Sequence, residues 1–144
     1  MDGKIKGPGA LETTNVGTFG VAKTTLLDKR FTMAYAAGIS DDNEAYFHDD
    51  RAGSPQVHPC IAFSLQWAAR FRPDQSQDPR VASFGVHAST DLVVHRPFKS
   101  GEAITTQGQL LQMRQISPGV YNVDLYRMTS STGELVCLLY TSPS

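Results

Sequence analysis

The chain is poor in the features that announce a specialised class. It has two cysteines, Cys60 and Cys137, and they do not form a CxxC pair. That is too few for a disulfide framework, so the expectation is free thiols in a soluble protein of a reducing compartment. The expected location is cytoplasmic, with the peroxisome left open. Neither sign of charge dominates: 13 Lys and Arg face 14 Asp and Glu, for a net charge of −1. Nothing offsets a phosphate backbone, so no nucleic-acid partner is expected. No apolar run approaches a bilayer span, and MDGKIKGPGALETTN has no apolar core of a secretory signal, so no membrane role is expected. The four histidines show neither His-x-His nor His-x3-His spacing, so no metal site is expected.

What remains is an ordinary globular composition, 40% hydrophobic and 19% charged over 144 residues, enough for one core. Residues 1–15, rich in glycine and paired threonines, read as a flexible tail, and 16–144 as a single domain. Phe19 to Leu27 reads as a strand. Asp28 stands as an N-cap before a short helix through Phe31 to Ala37, which Gly38 ends. Residues 38–58 are acidic and crowded with Asp, Asn, Gly, Ser and Pro, a long loop of the kind that carries function.

The segment from Pro59 to Phe71 is apolar on nearly every side. It predicts a helix buried all round, with Pro59 at its first position and Trp67 in the core. Arg72-Pro73 ends it, and 72–80 is a polar loop. Strands follow at Val81–His87, Ser89–Val94, Ile104–Met113, Val120–Met128 and Leu135–Tyr140, with turns between them. The order implies an α+β layer: a curved antiparallel sheet around one central helix.

The element order and the segments Tyr35-Ala-Ala-Gly-Ile-Ser-Asp-Asp-Asn, His58-Pro59-Cys60, Gly85-Val-His87 and His95-Arg-Pro-Phe-Lys-Ser-Gly-Glu resemble the MaoC-like (R)-specific enoyl-thioester hydratases and dehydratases. The resemblance implies the hot-dog fold. The family motif Asp-x-Asn-Pro-x-His meets Asp41 and Asn43 here, with Glu44 in place of proline and Tyr46 in place of histidine. His58 matches the histidine before the helix, and Pro59 replaces a glycine. These replacements resemble the N-terminal half of two-repeat members.

By that resemblance, Asp41 is the expected base, His48 or Tyr46 its proton partner, and His58 a contact to the thioester or an orienting group. Pro59 has no N–H, so Cys60 or Ile61 is left to supply the amide donor to a developing oxyanion. Asn43, Cys60, His87 and Arg96 are expected around the substrate, and His95, Arg96 and Lys99 form a basic turn suited to phosphates. A nucleophilic role for Cys60 weighs less than a small buried side chain. Coenzyme A or phosphopantetheine enters only as part of the substrate, with no other cofactor. The expected function is hydration or dehydration of an α,β-unsaturated or β-hydroxy acyl thioester or related carbonyl compound. The alternatives are a non-catalytic acyl-binding subunit completing a double hot dog, and a thioesterase of that fold. An open sheet edge further implies a homodimer, or a heterodimer with another hot-dog chain.

Overall fold

The computed structural model describes residues 16–52, 55–70, 86–117 and 119–143. The elements are β1 (Lys23–Leu26), α1 (Lys29–Gly38), a 3-10 turn at Glu44–Tyr46, α2 (Ile61–Ala68), β2 (His87–Val94), β3 (Ala103–Ile116), β4 (Gly119–Ser130) and β5 (Leu135–Pro143). The expected tail over 1–15, the helix end at Phe71, the 72–80 loop and the strand start at Val81 lie outside the described residues.

One antiparallel sheet runs in the order β1-β3-β4-β5-β2. Its register aligns Thr106 with Met128, Cys137 and Val94, and Gly108 with Tyr126, Leu139 and Leu92. Directly opposed residues share a face, so these rows build one side of the sheet. Ile61, Ala62 and Leu65 of α2 pack on Ile104, Tyr126, Met128, Val136, Cys137 and Leu139 in one core cluster. Leu110 aligns with Asp124, Thr141 and Thr90 in the next row.

The strands run longer than their apolar patterns suggested, because register pairing carries them outward to Ile116 opposite Gly119. β1 is shorter than expected, with Phe19 reduced to a single bridge to Gln109. Asp28 caps α1 as expected, its Oδ1 accepting from the Phe31 N–H at 2.7 Å. The stop differs. Gly38 is the last helical residue and Ser40 takes the left-handed conformation, φ 58°.

Two expectations for the central helix are corrected. It starts at Ile61, after a turn over His58–Cys60, so Pro59 precedes the helix. It is also buried on one side only. Trp67 lies about 200° around the helix from Leu65 and is 61% exposed, with the Arg70 guanidinium 4.5 Å from its ring. Apolar composition all round reports what a helix can bury, whereas the sheet covers a single face.

Candidate active site

Three short-range features bring the site together. The left-handed Ser40 lets the Asp41 N–H return to the Ala36 carbonyl at 3.0 Å, which anchors Asp41 to the end of α1. A left-handed non-glycine residue costs on the order of 1 kcal/mol. Asn43 caps the 3-10 turn, its Oδ1 accepting from the Ala45 N–H at 3.0 Å. The loop then closes on itself through the Gln56 N–H to the Ala45 carbonyl, 2.8 Å, and buries Val57 just before His58.

The outcome places Asp41 Oδ2 3.4 Å from His58 Nε2. This pair is more sheltered than the alternative on the same loop: side-chain exposures are 32% and 16%, against 86% and 62% for Glu44 and His48. The other Asp41 oxygen accepts from the Asn43 N–H at 3.1 Å. The His58 ring is held on its other side, where Nδ1 accepts from the Cys60 N–H at 3.1 Å. An accepting Nδ1 carries no proton, so the neutral ring bears its hydrogen on Nε2, toward the carboxylate. The Tyr46 ring lies 5.2 Å from the His58 ring, tilted 57°, and the Tyr35 ring 6.0 Å from it. Tyr35 donates its phenolic O–H to the Cys60 carbonyl at 2.6 Å. Burial, with help from the neighbouring Cys60 thiol, raises the Tyr35 pKa above its ordinary value.

His48 is turned outward, its Nε2 3.4 Å from Glu44 Oε2. The amide donors expected at the helix start are already engaged: Cys60 N–H on His58 Nδ1, and Ile61 N–H on the His58 carbonyl at 3.0 Å. The next two, Ala62 and Phe63, reach the Pro59 and Cys60 carbonyls. This corrects the expectation of an open oxyanion donor there. A turn of i to i−3 bonds consumes the amides that a straight helix start leaves over.

His87 and Arg96 make contacts of their own. His87 sits on β2, with its Nε2 2.7 Å from Thr141 Oγ1 and 2.8 Å from Thr90 Oγ1. Arg96 grips Glu102 through Nη1 and Nη2 at 3.0 and 2.8 Å, and Glu134 through Nε at 2.9 Å. Its guanidinium is tied up within the protein, and only His95 and Lys99 of the basic turn stand exposed. Tyr35 stands in one of the segments that carry the resemblance, and the sequence does not mark it as a site residue. The available signal was a tyrosine on the inward side of a short helix, whose hydroxyl needs a partner when covered. Among the described residues no group of three or more His, Cys, Asp or Glu side chains is placed to hold a metal ion.

No protein-family model matches the sequence, and no curated protein matches it. Solved structures do match. The HadBC (3R)-hydroxyacyl-ACP dehydratase complex of Mycobacterium tuberculosis superposes with a TM-score of 0.76 at 18% identity, covering 92% of this chain and 98% of that one. The (R)-hydratase of A. caviae involved in PHA biosynthesis gives 0.68 at 18% identity, over 94% and 97%. A MaoC-like dehydratase from Phytophthora capsici gives 0.75 at 15% identity; there 92% of this chain covers 48% of the other. The chain therefore has the hot-dog fold, of the α+β class. Its structural neighbours are MaoC-like (R)-hydratases and dehydratases.

Proposed function

We propose that the chain is a hydro-lyase acting on an α,β-unsaturated or β-hydroxy acyl thioester, with Asp41 and His58 as its working pair. The observation that carries this reading is the sheltered 3.4 Å contact between Asp41 Oδ2 and His58 Nε2. In the hydration direction Asp41 takes a proton from water as the water oxygen adds to the β-carbon. The carboxyl then returns that proton to the α-carbon of the enolate. His58 Nε2–H faces the carboxylate and orients it, and Asn43 N–H holds its second oxygen. The pairing differs from the sequence expectation in using His58 where His48 or Tyr46 was expected.

The test is turnover of a short enoyl thioester, followed by loss of its conjugated absorbance. Asp41→Asn keeps shape and removes basicity, and should lower turnover by about two to four orders of magnitude. His58→Gln should lower it as well, whereas His48→Ala should leave it within about twofold. Full turnover in both Asp41→Asn and His58→Gln removes the proposal.

One observation favours a second reading. All the first-turn amides of α2 are engaged within the chain, so a partner subunit that binds acyl groups without transforming them also suits the geometry. The HadBC neighbour is itself a complex. Acyl-thioester binding by the isolated wild-type chain, with no turnover, selects this reading.

A further inference from the structure

Cys60 is held at both ends of its backbone. Its N–H is donated to His58 Nδ1, and its carbonyl receives the Tyr35 hydroxyl at 2.6 Å. Its own conformation, φ −69° and ψ 0°, closes the turn in which Ile61 N–H returns to the His58 carbonyl. Tyr35 reaches this point from α1, the helix whose end also anchors Asp41 through the Ala36 carbonyl. One short helix thus positions the carboxylate directly and the imidazole through an intermediary.

We propose that Tyr35 is a positioning residue which, by holding Cys60, fixes His58 as the Nε2–H tautomer and so leaves Asp41 as the proton acceptor of the pair. The inference rests on the reading of Asp41 and His58 as the working pair, but its core claim, the tautomer, is independent of turnover.

A neutral imidazole carries one hydrogen, and the group facing each nitrogen decides where it sits. An amide N–H can only donate, so the Cys60 N–H facing Nδ1 demands a bare nitrogen there. A carboxylate can only accept, so Asp41 facing Nε2 demands the hydrogen on that side. Both demands agree while Cys60 keeps its orientation. The Tyr35 hydroxyl restrains that orientation, and its raised pKa keeps it protonated and able to donate. The tilted ring alone, 6.0 Å from His58, packs near the imidazole without touching the Cys60 backbone, whereas the hydroxyl pins the Cys60 carbonyl, whose peptide is tied to the Cys60 N–H through φ −69° and ψ 0° of that residue.

The experiment is nitrogen-15 NMR of the imidazole rings in the uniformly labelled full-length chain, with wild type and Tyr35→Phe compared at a pH where His58 is neutral. The wild-type His58 spectrum should show a protonated Nε2 and a bare Nδ1. Tyr35→Phe keeps the ring and removes the hydroxyl. It should give a mixture of tautomers and speed exchange of the Cys60 amide by about tenfold or more. Turnover, where present, should lose kcat with little change in KM. A wild-type spectrum with the hydrogen on Nδ1 overturns the proposal without any variant. So does a Tyr35→Phe chain whose tautomer and Cys60 exchange both match wild type. The function reading fails on its own evidence, unchanged turnover in Asp41→Asn and His58→Gln, which leaves the tautomer result standing.

Discussion

Cys137 and Cys60 are both thiols, but their surroundings make them different reagents. Cys137 lies in the core at 0% exposure, and burial pushes its thiol up to about 11. The reactive species is the thiolate, which is scarce for Cys137 at pH 8. Cys60 is half-buried at the start of α2. Ellman's reagent at pH 8 should therefore titrate at most one thiol in the native chain and a second only after unfolding. Rapid reaction of both in the native state would contradict the placement of Cys137 under α2. The expectation of a small buried side chain, made for Cys60, describes Cys137 better: Cys60 is half-buried and Cys137 buried. The cross-strand register sets Cys137 beside Met128 and Val94.

At the scale of an element, the turn after β2 is held by charge. Arg96 binds Glu102 with two hydrogen bonds and Glu134 with a third, while the Lys99 N–H donates to Glu102 at 2.7 Å. Burial by itself would raise the Glu102 pKa, but the Arg96 hydrogen bonds, the Lys99 amide and the two positive charges outweigh it and leave it below its ordinary value. A carboxylate whose folded pKa is depressed contributes stability above its unfolded pKa, about 4.3. That contribution is lost as pH falls through the folded value. The melting temperature of the wild type should accordingly drop more steeply below about pH 4.3 than that of Glu102→Gln, whose curve should be flatter and lower at neutral pH. Parallel curves would show that the turn draws no stability from this pair. The basic character of this turn was legible in the sequence. Glu102 lies in the same segment, but the second ionic partner was not legible, since Glu134 is supplied by the distant β4–β5 hairpin, where Gly133 adopts φ 84°.

For the whole molecule, the open edge is the controlling feature. Among the described residues β2 borders the sheet with only β5 beside it, as β1 does with only β3 at the other edge, and Val93 and Val94 are 44% and 40% exposed on β2. An exposed apolar edge strand is a template for another chain. We propose that a second hot-dog chain pairs there, a second copy of this one in the simplest case. Sedimentation at micromolar concentration should show a dimer, and Val93→Lys with Val94→Lys should shift it toward monomer. A 15.7 kDa monomer in the wild type would rule out self-pairing. Among the described residues no helix is long and apolar enough to cross a membrane.

The sequence by itself determined the order of elements, the Asp28 cap, the strand-rich second half and the irregular course of the 38–58 loop. Each of these depends on local chemistry: a carboxylate ahead of a helix, β-branched alternation, or clustered turn formers. It also placed Asp41, Tyr46 and His58 among the candidates. Tertiary structure alone decided which histidine meets Asp41. His48 is near in sequence but turns outward with Glu44, whereas His58 arrives from the far end of the loop because buried Val57 and the Gln56–Ala45 bond fold it back. The same holds for Trp67, whose apolar helix meets the sheet on one side only. Periodicity specifies which residues share a face, but the neighbour across the gap specifies which face is covered.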